Sequence, residues 1–142
     1  FGGNLDANSI AVKALFHETS EVLTGDLPTP IKYFNPEIRD AYKALERYSN
    51  DKLLELLPDE LSVVYDPIVN DNESVEHRFV KYADKIAAYI KCVDEVNMGN
   101  AEFRHAKQTI YDEIVGYHSP EVDYFMKEFV EAFQLTLDEL QA

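Results

Sequence analysis

Apolar residues recur at spacings of three and four along nearly the whole chain, and no segment shows a convincing two-residue alternation. This period predicts helices rather than strands. The first helix is predicted from about Asp6 to Leu23, with one apolar arc and one polar arc. The apolar arc contains Val12, Leu15, Phe16, Val22 and Leu23. The opposite arc contains Ala14, His17, Glu18 and Glu21.

Glycine and proline predict where this helix ends and the next one begins. A loop over residues 24–35 is predicted from the helix breakers within it, which are Gly25, Pro28 and Pro30. Asn35-Pro36 is typical of an N-cap followed by proline at the first helical position, so the second helix is predicted from there to about Leu57. The proline that follows should end this helix, and residues 58–64 are predicted to form only a short turn of helix.

Three further helices are predicted after a polar loop at residues 70–74. Their predicted extents are about Glu73 to Asn97, about Ala101 to Val115, and from Ser119-Pro120-Glu121 onward. The apolar stripe of the helix predicted from Glu73 contains Val75, Phe79, Ala83, Ile86, Ile90 and Val93. The stripe of the last is Val122, Phe125, Phe129, Phe133 and Leu137. No repeat or linker interrupts the pattern, which predicts one all-α domain over residues 1–142.

Composition and charge narrow the function classes. Apolar residues make up 46% of the chain, which favours a packed fold over disorder, and no run of 18 apolar residues predicts a membrane span. The formal net charge of -14 makes long nucleic acid an unfavourable partner, whereas a single nucleotide could bind beside a metal ion. Cys92 is the only cysteine, which suits a reducing cytoplasm, and we expect a cytoplasmic protein.

The polar arc of the first helix carries candidate chemistry. His17 and Glu21 are four residues apart and therefore lie one turn apart on the same face, with Glu18 beside them. An imidazole and a carboxylate so placed can bind one metal ion, and a second carboxylate can move a proton next to it. The alternative is a solvated acidic helix face.

Asp84 is the second candidate, because it lies off the apolar stripe of its helix. Ala87 and Ala88 follow one turn later and leave space around its carboxylate. The alternative is a surface aspartate paired with Lys81 or Lys85, which would contribute little stability.

Three stretches resemble a known enzyme family. The run from Glu21 to Asn35 (EVLTGDLPTPIKYFN), the pair KYAD and YIKC at residues 81–84 and 89–92, and the tail with DYFM at residues 123–126 are similar to YfbR-type 5'-deoxynucleotidases of the HD phosphohydrolase superfamily. The resemblance covers nearly the whole chain. It implies an HD-domain helical bundle that hydrolyses the 5'-phosphate of deoxynucleoside monophosphates with a bound divalent metal such as cobalt or manganese.

The resemblance also implies residue roles. His17 and Glu18 occupy the positions of the family's metal-binding His-Asp pair, and Asp84 occupies that of its distant metal ligand. Glu21 matches a carboxylate that assists proton transfer. The residues that match the nucleotide-contacting loop are Asp26, Leu27, Pro28 and Thr29. We also expect a homodimer.

The chain departs from the family pattern in two respects. Its pair is His-Glu, and glutamate is one methylene longer than the aspartate it replaces. In the family, a helical segment with a further metal-binding His, a phosphate-contacting Arg and a Trp that disfavours ribose precedes the position of Phe1. We expect this sequence to lack that segment, since it has no Trp and its other histidines, His77, His105 and His118, fit ordinary helix or loop positions.

Two other functions stay open on the sequence. The chain could be a catalytically silent HD-like helical module that dimerises or binds a partner, which the His-Glu pair favours and the intact loop run disfavours. It could also be an HD-type phosphohydrolase with a different nucleotide substrate. A substrate screen would distinguish that enzyme from one that acts on deoxynucleoside monophosphates.

Overall fold

The computed structural model describes residues 3–28, 31, 34–135 and 138–139, and within these residues the fold is helical with no strand. The α-helices are α1 (Ala7–Phe16), α2 (Glu21–Thr24), α3 (Pro36–Leu54), α4 (Asp59–Val69), α5 (Val75–Asn97), α6 (Phe103–Val115) and α7 (Pro120–Glu128). A 3₁₀ helix, Val130–Gln134, follows α7. The all-α prediction is confirmed, and none of the described helices is long and apolar enough to cross a membrane.

The chain divides into two compact units. One comprises Leu5–Val80, which includes α1 to α4 and the first residues of α5. The other comprises Phe1–Asn4 and Lys81–Ala142, which includes the rest of α5, α6 and α7.

The predicted single helix from Asp6 to Leu23 is wrong, because α1 ends at Phe16 and a separate short helix, α2, begins at Glu21. Side chains take up the carbonyl groups that would continue the helix. Nδ1 of His17 lies 2.6 Å from the carbonyl oxygen of Ala14, and the Thr19 hydroxyl donates to the carbonyl of Phe16 at 2.6 Å. Side-chain hydrogen bonds of this kind compete with the helical ladder.

The apolar arc predicted for the first helix is also largely exposed. Leu15 is 81% exposed and Val22 is 74% exposed. Phe16 is half-buried and packs edge-on against the Tyr65 ring of α4, with centroids 5.3 Å apart. Contact between α1 and α4 therefore involves part of the predicted arc.

The boundaries of α3 follow the predicted signals, whereas the length of α4 was underestimated. The Asn35 side chain accepts a hydrogen bond from the Ile38 backbone at 2.7 Å, which confirms the N-cap, and α3 ends at Leu54. The structure then has a full helix of 11 residues where residues 58–64 predicted only a short turn. Pro67 lies inside α4 near its end, where it costs one backbone hydrogen bond without stopping the helix.

In residues 81–142 the apolar side chains form a buried cluster. Its members are Ile86, Tyr89, Val93, Ile114, Val122 and Val130. The stripe predicted for α5 is confirmed at Ile86 and Val93 but wrong at Val75 and Ala83, which are exposed.

The last helix is shorter than its stripe predicted. It ends at Glu128, so Phe129 and Phe133 are about half exposed, and Val130 is buried instead. The Phe129 ring stacks on Phe125 with centroids 5.2 Å apart. Leu137 lies outside the described residues.

Candidate metal and catalytic site

His17 directly follows α1, and its imidazole is held by the backbone. Nδ1 lies 2.6 Å from the carbonyl oxygen of Ala14. A carbonyl can only accept, so this contact assigns a proton to Nδ1, and in the neutral ring Nε2 then carries the lone pair. This is the arrangement typical of metal-binding histidines, in which a backbone carbonyl fixes the ring and its tautomer.

Glu18 brings a carboxylate to the same nitrogen. Its Oε1 lies 3.7 Å from Nε2 of His17, and the Glu18 side chain is 61% exposed whereas that of His17 is 20% exposed. Ligand bonds to a divalent ion are about 2.0–2.2 Å long, so two ligand atoms 3.7 Å apart can share one ion. The longer glutamate side chain therefore does not prevent the pair from binding a metal together.

Glu21 begins α2, one short turn after the His17–Glu18 pair. Its backbone N–H donates to the carbonyl of Glu18 at 2.9 Å, and its own carbonyl accepts from Gly25 at 2.9 Å. The Glu21 side chain is half-buried. Because the chain breaks between α1 and α2, the three residues do not lie on one continuous helix as predicted. Glu21 follows the pair by only a few residues.

The predicted nucleotide-binding loop is described only in part. Gly25 ends α2 with a φ of 69°, a left-handed conformation that favours glycine, which confirms the predicted helix end. Asp26 and Pro28 are exposed, and Leu27 is half-buried. Thr29 lies outside the described residues.

A polar cluster that the sequence analysis missed ties α1 to the start of α5. Lys13 donates to Asp71 Oδ2 at 2.5 Å and to Ser74 Oγ at 3.2 Å, and Asp71 also accepts from the Ser74 hydroxyl and from the Glu73 and Ser74 backbone. Burial raises the pKa of Asp71, but the hydrogen bonds from Lys13 and Ser74 outweigh it and hold that pKa well below its ordinary value. We call Lys13, Asp71 and Ser74 the polar clamp.

Only the local half of this clamp had a signal in the sequence. Asp71-Asn72-Glu73-Ser74 precedes a helical pattern and contains the residue types that cap helix starts. The long-range partner, Lys13, carries no such signal, because nothing in the local pattern distinguishes it from any other lysine on a helix.

Asp84 lies on α5, within the unit that contains residues 81–142. Lys85, one of its two predicted surface partners, instead pairs with Glu113 at 3.2 Å. Burial, a hydrogen bond to Glu113 and, to a smaller extent, the nearby charge of Asp84 raise the pKa of Tyr117. The Tyr117 ring stacks on Tyr82 with centroids 4.4 Å apart.

Among the described residues, His17, Glu18 and Asp84 are a histidine and two carboxylates of the kind that bind metal ions. One imidazole nitrogen and two carboxylate oxygens are a ligand set that suits divalent ions such as manganese, cobalt or zinc. The chemistry of these donors therefore fits a divalent metal.

Comparison with known families gives a match over most of the chain. Residues 1–133 match the family described as 5'-deoxynucleotidase YfbR-like.

Individual relatives agree with the family match. A protein named 5'-deoxynucleotidase YfbR from Salmonella arizonae is 47% identical over 142 residues, covering 99% of this chain and 71% of the relative. A 5'-deoxynucleotidase from Klebsiella pneumoniae is 46% identical with the same coverage. A 5'-deoxynucleotidase yfbR from Photorhabdus temperata is 48% identical, covering 99% of this chain and 72% of the relative.

Proposed function

The chain belongs to the 5'-deoxynucleotidase YfbR-like family, and we propose that His17, Glu18 and Asp84 hold a divalent metal while Glu21 moves a proton in its reaction. The activity is hydrolysis of the 5'-phosphate of deoxynucleoside monophosphates, and the chain is a hydrolase that acts on a nucleotide. The family implies a divalent metal. A catalytically silent module is not favoured, since the family match extends over residues 1–133 and the relatives are named as enzymes.

The observation that carries the proposal is the geometry of His17. Its Nδ1 is engaged by the Ala14 carbonyl, and its Nε2 faces the Glu18 carboxylate at 3.7 Å. The adjacent imidazole and carboxylate can serve as two ligands, with Asp84 as the third. Manganese and cobalt are the metals we propose, because both accept mixed nitrogen and oxygen ligands.

Hydrolysis needs a bond from a water oxygen to phosphorus, cleavage of the bond to the nucleoside 5'-oxygen, and transfer of a proton. A divalent ion held by His17, Glu18 and Asp84 would supply Lewis acidity and neutralise charge on the phosphoryl oxygens. We assign the proton transfer to Glu21, a half-buried residue that begins α2 soon after the ligand pair in the sequence. The carboxylate would accept the proton of the attacking water or return it to the leaving 5'-oxygen.

We assign nucleotide binding to the loop that follows α2. Its proposed contact residues are Asp26, Leu27, Pro28 and Thr29. The exposed Asp26 could accept hydrogen bonds from sugar or base, and the half-buried Leu27 offers an apolar contact. A screen of deoxynucleoside and ribonucleoside monophosphates tests whether another nucleotide is preferred.

The test of this function is the substitution Glu21→Ala, assayed by phosphate release from a deoxynucleoside monophosphate beside a metal analysis of the same preparation. We expect kcat to fall by on the order of 10² to 10⁴ with metal content retained, the usual effect of removing a general acid or base. Glu60→Ala is the matched control, because Glu60 is an exposed carboxylate in the first turn of α4. An unchanged rate would remove Glu21 from the mechanism, and joint loss of rate and metal would make it a ligand.

The remaining features concern assembly and location. We propose a homodimer, supported by the high exposure of the apolar side chains Leu15, Val22 and Leu23, because apolar side chains left exposed on one protomer are buried when an interface forms. Light scattering after size-exclusion chromatography tests it, and a monomeric mass would refute it. We also propose a cytoplasmic location, supported by the single buried free thiol of Cys92 and tested by cell fractionation.

A further inference from the structure

A cavity of about 430 Å³ lies among residues of α5 and α6, within the unit that contains residues 81–142. Its lining residues are Tyr89, Val96, Arg104, Lys107, Gln108 and Tyr111. Small-ligand sites span about 300–1,000 Å³, so this cavity is large enough for a compact organic molecule. The lining contains two cations and no carboxylate.

The two cations are unusual in this chain, which has 13 basic and 27 acidic residues. Arg104 and Lys107 are three residues apart and therefore share one face of α6. No carboxylate among the described residues lies within ion-pair distance of either cation.

Nearby carboxylates on the same two helices already have other partners. Glu95 accepts from Lys91 at 2.5 Å and from Asn100 at 3.0 Å, and Asp112 accepts from Gln108 at 2.8 Å. Glu113 pairs with Lys85 at 3.2 Å. These carboxylates are engaged elsewhere, and Arg104 and Lys107 both line the cavity.

Aromatic rings also line the cavity. Tyr89 is 8% exposed and Tyr111 is 42% exposed, and their ring centroids lie 5.7 Å apart with an angle of 43° between the planes. Burial, and to a smaller extent the neighbouring Tyr111, raises the pKa of Tyr89. A half-exposed ring on a buried one offers a surface on which a planar ring can stack.

We propose that this cavity is a binding site for a small phosphorylated ligand that carries a planar ring, separate from the residues assigned to hydrolysis. Arg104 and Lys107 would bind the phosphate by charge-assisted hydrogen bonds, and Tyr111 would stack on the ring. The proposal does not depend on the roles given to His17, Glu18, Asp84 or Glu21.

The test uses isothermal titration calorimetry of the full chain with ATP, with inorganic phosphate and adenosine as the separate halves of the ligand. ATP should bind more tightly than either half. In the double substitution Arg104→Gln/Lys107→Gln, the ATP affinity should fall about 10- to 100-fold, since a hydrogen bond to a charged group contributes about 1.5–3 kcal/mol. Tyr111→Leu should weaken ATP binding while leaving the affinity for inorganic phosphate unchanged.

Two further variants separate this site from others. Lys43→Gln removes an exposed cation in the other unit and should leave ATP binding intact. His17→Ala removes a residue of the hydrolytic site and should also leave it intact. Equal ATP affinity in the double variant and the original chain overturns the proposal, as does loss of binding in His17→Ala. If Lys43→Gln lost as much ATP affinity as the double variant, the binding would be non-specific charge attraction, and the proposal would be overturned.

Discussion

The two units of this chain are organised by different interactions. In residues 81–142 an apolar cluster is closed to solvent, with Val93 and Ile114 at most 1% exposed. In residues 5–80 fewer of the described apolar side chains are buried, namely Tyr42, Leu54 and Val80. There α1 is joined to the start of α5 by the polar clamp of Lys13, Asp71 and Ser74. Apolar burial is strong but non-directional, whereas charged hydrogen bonds fix geometry. The unit with the His17–Glu18 pair is therefore the one aligned by directional contacts.

The largest effect on stability is expected from the apolar cluster. Ile114→Ala should lower the free energy of unfolding by about 2–5 kcal/mol, because it removes a fully buried side chain and leaves a cavity. Ile38→Ala is the matched control in residues 5–80, where the side chain is 37% exposed, and it should cost about 1 kcal/mol or less.

Denaturant unfolding measures both variants. We propose that residues 1–142 form one domain, so both should unfold in a single cooperative transition. Equal losses in the two variants would contradict the contrast between the units, and two separate transitions would contradict the single domain.

A smaller effect is expected from the polar clamp. Lys13→Met should cost about 1–3 kcal/mol, because it leaves the Asp71 carboxylate without a charged partner where Lys13 and Asp71 are 16% and 12% exposed. Lys91→Met is the control, since Lys91 also lies 2.5 Å from its carboxylate, Glu95, but is 65% exposed. Exposed pairs contribute about 0–1 kcal/mol. Thermal unfolding of both variants checks this, and similar losses would mean that burial does not strengthen the clamp.

The smallest effect is a pH dependence. The pKa of Asp71 is depressed in the folded chain, so its contribution to stability is present above its unfolded pKa of about 3.9 and is lost as pH falls through its folded pKa. The difference in unfolding free energy between the original chain and Asp71→Asn should therefore be constant from about pH 5 to 7 and shrink below about pH 4. If this difference in unfolding free energy instead grew as the pH fell, the pKa of Asp71 would be raised in the folded chain, which would contradict the prediction.

The sequence predicted those features of the fold that depend on local signals. Gly25 and Asn35 act at helix boundaries through their own backbone and side-chain geometry, so their roles were visible in the sequence. The break after Phe16 was not, because it arises when His17 and Thr19 side chains take helix carbonyl groups that an apolar period does not register. The early end of α7 was also missed, because tertiary burial selected Val130 over Phe129.

The candidate site was predicted through the family resemblance more than through periodicity. The helical spacing alone left His17, Glu18 and Glu21 indistinguishable from a solvated acidic face. The resemblance supplied the roles, and the structure adds the Ala14 carbonyl that fixes the His17 tautomer. Lys13 and Asp71 lie 58 residues apart, so their contact could be found only in three dimensions.

The central claim is that His17, Glu18 and Asp84 bind one divalent ion, and metal titration tests it most directly. Calorimetry with manganese or cobalt would compare the original chain with Asp84→Asn and with Asp123→Asn, a control at an exposed aspartate on α7. We predict one ion per chain, with an affinity at least 10- to 100-fold lower in Asp84→Asn, because loss of a ligand should cost no less than loss of its supporting contacts. Asp123→Asn should bind as the original chain does. Unchanged affinity in Asp84→Asn, with its fold retained, would contradict the claim.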